Sequence, residues 1–191
     1  MGLEETYLLF FPVFHSSFID PKSDTCKNII QKWLDNQGKY PPVGDAHEYS
    51  FYAEKALPIE GDRVKYFEHL AQGKQPYIGY KLLCLLNKYG IVKSVWSTNF
   101  DGLVERAAQQ ANITPICINL DCTDRIYRTE SNNELLYIAL HGDYKYTSLK
   151  NTSKELDNQH PTFVAALKRY FSDKNLIVIG YSGRDKSLMS A

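Results

Sequence analysis

The feature that most constrains the fold is a rhythm between positions 91 and 180, where short apolar runs alternate with helical patterns. The run Ile91-Val92-Lys93-Ser94-Val95-Trp96 leads into Ser97-Thr98-Asn99-Phe100-Asp101, and Leu103, Val104, Ala107 and Ala108 follow at helical spacing. The same change from apolar to small and polar recurs at Leu140-His141-Gly142-Asp143 and at Gly180-Tyr181-Ser182-Gly183-Arg184-Asp185. Strands alternating with helices build parallel sheets covered by helices. Open sheets of that kind bind ligands outside the carboxyl ends of their strands. Three polar strand ends therefore predict one shared cleft.

The pattern places strands at 92–97, 115–119, 135–140 and 176–180. It places helices at 102–110 and from Pro161 onward, the latter with Phe163, Ala166, Leu167, Tyr170 and Phe171 on one side. A further strand, broken by Pro12, is expected at 7–14. Positions 20–90 carry helical patterns at 25–34, 46–56, 62–71 and 77–89, and in the last Ile78, Leu82, Leu85 and Leu86 share one face. Gly38 and Gly90 stand where helices end. The expected class is α/β: a Rossmann-like parallel sheet flanked by helices, with 20–90 as a helical cap or insertion and 91–191 as the alternating part. Positions 182–191 open a helix that then stops, so the expectation is one domain over 1–191 that is incomplete at its carboxyl end.

Composition narrows the function classes. A chain of 191 residues can bury a sizeable core, and 43% hydrophobic with 23% charged residues is the balance of a folded globular protein. Lys plus Arg (22) equals Asp plus Glu (22), so no basic excess points to nucleic acid. No apolar run has the length of a membrane span, and Glu4 and Glu5 before the apolar start do not fit a signal peptide. Cys26, Cys84, Cys117 and Cys122 lack the paired spacing of a zinc knuckle. They read as free thiols of a cytoplasmic protein, with no metal expected.

Each motif has a plain structural alternative. The Asn99 amide can hold a hydroxyl and a water at once, yet Asp101 also suits a helix cap and Asn99 a turn. His141, beside a glycine that admits close approach, suits a general base near neutral pH, although a histidine at a turn is more often structural. Gly180-Tyr181-Ser182 can offer amides and a hydroxyl to ribose or phosphate, while Asp185 suits a cap for the next helix. Singly, each plain alternative is the stronger. Their convergence is what carries weight.

Together the three segments resemble the sirtuin-like (SIR2-like) domain family, in particular the branch found in bacterial anti-phage defence proteins. Thr98-Asn99-Phe100-Asp101 matches that branch's strand-end motif, His141-Gly142 its catalytic histidine, and Gly180-Tyr181-Ser182 with Asp185 its late ribose-bordering segment. The stretch Lys74-Gln75-Pro76-Tyr77-Ile78-Gly79-Tyr80 is similar to the helix leading to the motif strand. The resemblance implies NAD as substrate, cleaved between nicotinamide and ribose, with no metal. It gives Asn99 the positioning of water and ribose hydroxyls, His141 the role of base, and Asp101 the orientation of Asn99 or stabilisation of positive charge. Ser97, Thr98, Phe100, Gly142, Gly180, Tyr181, Ser182 and Asp185 would border the dinucleotide. With water as acceptor the outcome is NAD hydrolysis by a defence effector, restrained by homo-oligomerisation, a sensor domain or a partner protein. Two departures keep alternatives open. The segment Leu8-Leu9-Phe10-Phe11-Pro12-Val13-Phe14-His15-Ser16-Ser17 lacks the family's pyrophosphate-cradling glycines, which favours a catalytically silent nucleotide-binding module. The zinc ribbon of protein-deacylating sirtuins is also absent, which ranks lysine deacylation lower.

Overall fold

The computed structural model describes residues 23–190 apart from 43, 46, 129–130, 146–148, 151 and 184. The strand expected at 7–14, and Arg184, lie outside the described residues. The chain divides into two compact units, one of Met1–Pro58 with Asn151–Lys154 and the other of Ile59–Lys150 with Glu155–Ala191.

In the first unit, helix α1 (Asp24–Gln37) begins where Ser23 Oγ accepts from the Cys26 amide at 3.2 Å, and stops at Gly38 with φ 63°. Both ends follow from local chemistry. A serine hydroxyl meets an orphan amide, and a glycine takes the left-handed turn closed to most side chains. Cys26, Ile30 and Leu34 of α1 are buried with Tyr52 of helix α2 (Glu48–Ala56), and Trp33, Tyr40 and Phe51 pack around them. Tyr40 stacks on Tyr52 with ring centroids 6.0 Å apart and meets Phe51 edge-on at 5.8 Å.

The second unit holds helices α3 (Glu60–Ala71) and α4 (Ile78–Lys88), strand β1 (Ser94–Ser97), helix α5 (Leu103–Gln110) and strand β2 (Thr114–Ile118). A 3-10 turn (Thr123–Tyr127), strand β3 (Glu134–Ala139) and helices α7 (Pro161–Phe171) and α8 (Lys186–Met189) follow, while the short α6 (Ser153–Leu156) spans the division between the units in sequence. The strands are all parallel in the order β1-β3-β2, with Ser97 opposite Ala139 and Ile118 opposite Ile138. The central strand is apolar on both faces, as parallel sheets covered by helices require. Leu135, Tyr137 and Ala139 join Cys84 of α4 and Val104, Ala107 and Ala108 of α5 in one core layer. Leu136, Ile138 and Leu140 join Ile126, with Phe163 and Ala166 of α7, in the other. The expected α/β class is the observed one.

Asn87 fixes the entry to the sheet: its Nδ2 donates to the carbonyls of Val92 at 2.9 Å and Glu134 at 3.2 Å. It thereby joins the end of α4 to the starts of β1 and β3.

One expectation is corrected, and one apolar helix face is found open to solvent. The apolar face of α4 formed by Ile78, Leu82, Leu85 and Leu86 is exposed, and the helix buries Cys84 and Asn87 instead. Positions 176–180 are not a strand. Leu176, Ile177, Val178 and Ile179 run from 58% to 84% exposed. Apolar composition cannot make a strand alone, because extended backbone is held by ladder bonds to a neighbour, and the three strands of the described sheet are β1, β2 and β3.

Candidate functional site

At the carboxyl end of β1 the chain turns through backbone bonds. The Asn99 amide donates to Ser97 Oγ at 3.1 Å, and Tyr137 Oη donates to the Asn99 carbonyl at 3.4 Å. The Leu103 amide donates to Asp101 Oδ1 at 2.9 Å, which starts α5 after Gly102 at φ 62°. The N-cap of α5 is thus Gly102 rather than Asp101, one of whose oxygens takes the Leu103 amide from the position before it. The other accepts from Tyr80 Oη of α4 at 3.5 Å, and the Asn99 side chain bonds the same phenol. Burial first, and then the Asp101 carboxylate, push the Tyr80 phenol above its ordinary pKa, so it stays a donor.

The end of β3 lies alongside. The Leu140 amide donates to the Ser97 carbonyl at 2.9 Å, and this carries His141 to the β1 end. Gly142 turns the chain at φ 90°, a conformation that favours glycine. His141 is 8% exposed, and its Nε2 lies 2.6 Å from Asp185 Oδ2. Asp185 Oδ1 accepts from Ser187 Oγ at 2.7 Å and from the Leu188 amide at 3.1 Å, so Asp185 also caps α8. Burial opposes ionisation of Asp185, but the bonds from His141 and Ser187 outweigh it and bring its pKa down to about 2. The carboxylate is charged at any ordinary pH. With Nε2 engaged by Asp185, Nδ1 is the ring nitrogen left for proton transfer.

Phe100 joins the two strand ends. Its ring centroid is 6.4 Å from that of His141 and 4.6 Å from that of Phe67 on α3. Tyr181 Oη donates to the Asp185 carbonyl at 3.4 Å. The structure therefore brings the β1-end segment of Ser97, Asn99, Phe100 and Asp101 alongside the β3-end segment of His141 and Gly142, with Asp185 against His141 and Tyr181 against the Asp185 carbonyl. Asp185, expected beside the dinucleotide, is the partner of His141. Gly180 and Ser182 lie exposed, and a Cβ on Gly180 would meet no atom within 4 Å. Thr98 is half-buried. Sequence reasoning missed Tyr80 and Phe67 as site residues. Both sit in amphipathic helical patterns, where an aromatic reads as core, and only the place of Tyr80 at the end of the stretch 74–80 hinted otherwise.

Polar strand ends gathered on one edge of a helix-covered parallel sheet, with a buried histidine–aspartate pair among them, define a Rossmann-like α/β domain with a candidate site at the strands' carboxyl ends. The chain belongs to the SIR2-like domain family, whose model matches residues 93–191, just over half of its length. That match spans all three strands and the three polar segments. No curated protein matches the chain.

Proposed function

We propose that this chain hydrolyses NAD at the bond between nicotinamide and ribose. The SIR2-like family includes NAD-dependent enzymes, and the observation that carries the proposal is the 2.6 Å His141–Asp185 pair beside Phe100 and the Asn99-bearing turn. The donor set suits a dinucleotide: an exposed asparagine amide, a serine hydroxyl, glycines at positive φ and open space over Gly180. Because nicotinamide is cationic while bound to ribose, it departs neutral and needs no acid. The transition state carries oxocarbenium character, as in glycoside hydrolysis. Asn99, steadied by Tyr80, positions the water and a ribose hydroxyl. His141 accepts the proton the water loses, and the Asp185 carboxylate orients the imidazole and stabilises its charged form. The products are nicotinamide, ADP-ribose and one proton. The context proposed for this activity is depletion of NAD by a cytoplasmic defence effector, held in check by self-association or by a partner.

Incubation of the purified protein with NAD, with and without an acetylated peptide, tests this. Free nicotinamide should appear without peptide. Asn99→Ala and His141→Ala should each reduce release by about 10²- to 10⁴-fold, the usual contribution of a general base, with folded content checked by circular dichroism. Saturable NAD binding with no release would instead favour the silent module that the glycine-free 8–17 segment allows. Release that depends on the peptide would favour deacylation.

A further inference from the structure

On the α5 side of the sheet, a second polar cluster lies outside the machinery above. Glu105 of α5, Cys117 of β2 and Asp143 beyond β3 each present one donor atom, and these atoms all lie within 4.8 Å of one another. Asp143 is 0% exposed, and while its Oδ1 accepts from the Lys145 amide at 2.9 Å, its Oδ2 is buried with no hydrogen-bond partner among the described residues. A carboxylate oxygen so placed is costly unless something positive meets it. The local charge favours a cation as well: Asp143 is subject to the carboxylates of Glu105 and Asp101 against the single ammonium of Lys145, which pairs with Glu105 Oε2.

We infer that Glu105, Cys117 and Asp143 form a binding site for a divalent transition-metal ion, with Lys145 as the resident cation that the metal displaces. One thiolate with two carboxylates suits zinc or cobalt rather than magnesium or calcium, which prefer all-oxygen shells. Three protein donors leave a fourth tetrahedral position for water. A thiol ligates a metal as its thiolate, so binding of the ion releases the Cys117 proton. The three donors come from a helix, a neighbouring strand and the loop carrying His141, so an ion there ties these elements together. Nothing in this inference depends on the NAD reaction.

Titration of the full-length protein with Co²⁺, followed by near-ultraviolet absorption, reads the thiolate–cobalt charge-transfer band directly, and Zn²⁺ should raise the melting temperature. Cys117→Ser should abolish the band, and Asp143→Asn should abolish or greatly weaken it. Lys145→Met keeps every donor and removes the competing charge, so it should tighten Co²⁺ binding by at least about tenfold. Lys145→Met also decides the matter if the other variants fail to fold. Absence of a band in both wild type and Lys145→Met, survival of the band in folded Cys117→Ser, or affinity unchanged or weaker in Lys145→Met would each overturn the inference.

Discussion

At the scale of single residues, the His141–Asp185 pair makes two predictions. The first concerns catalysis. Asp185→Asn leaves the shape of the side chain but removes the carboxylate that holds the imidazole in its orientation, so nicotinamide release should fall by about 10²-fold or more with little change in KM. A purely structural pair would instead show its effect in melting temperature and spare the rate of the protein that remains folded. The second concerns acid. A carboxyl whose folded pKa is about 2 binds protons less readily than the unfolded chain does. Its stabilising contribution is complete above the ordinary aspartate pKa near 4 and is lost as pH falls toward 2. Acid unfolding monitored by circular dichroism should lose that limb in Asp185→Asn. Asp143 has the opposite sign. Burial first raises its pKa, so its ionised form weighs against folding at neutral pH, and metal-free Asp143→Asn should melt higher than wild type at pH 7 and no higher at pH 4. The polar segments at 97–101 and 140–143 were legible in the sequence because each follows an apolar strand pattern. Their partners were not, since His141 meets Asp185 across 44 positions and no local pattern encodes that.

At the scale of elements, periodicity located the sheet and its covering helices to within a residue or two. The strands expected at 92–97, 115–119 and 135–140 appear as β1, β2 and β3, and the helices at 102–110 and from Pro161 as α5 and α7. Gly38 and Gly90 marked helix ends because glycine, lacking a Cβ, admits the left-handed turn, and Pro161 marked a helix start because its ring presets φ. At 176–180, where the expectation failed, and on the exposed face of α4, the deciding factor was the neighbour. An apolar face announces that burial is favourable without naming what it meets. The central strand carries the strongest mutational prediction. Ile138, fully buried beside Phe163 and Ile118, should cost about 2–5 kcal/mol when cut to alanine, read as a lowered denaturation midpoint with an unchanged denaturant slope.

At the scale of the whole molecule, each compact unit has a core of its own, the first aromatic around Tyr40 and Tyr52 and the second aliphatic around β3. The second unit also shows solvent a large amount of apolar side chain, on α4 (Ile78, Leu82, Leu85, Leu86) and along 176–179. Contiguous exposed apolar surface binds hydrophobic dyes and other apolar surfaces. The folded protein should therefore enhance the fluorescence of an anilinonaphthalene dye, and a Leu82→Lys, Leu85→Lys double variant should reduce that signal while keeping its helical content.

The strand order has a consequence for how the chain is made. Because β3 separates β1 from β2, neither of the earlier strands meets its partner in the described sheet until the last of the three leaves the ribosome. A nascent chain halted anywhere before Glu134 lacks both ladders of the described sheet. Closure of the sheet thus waits on contacts some 40 positions apart in sequence, a separation that slows folding.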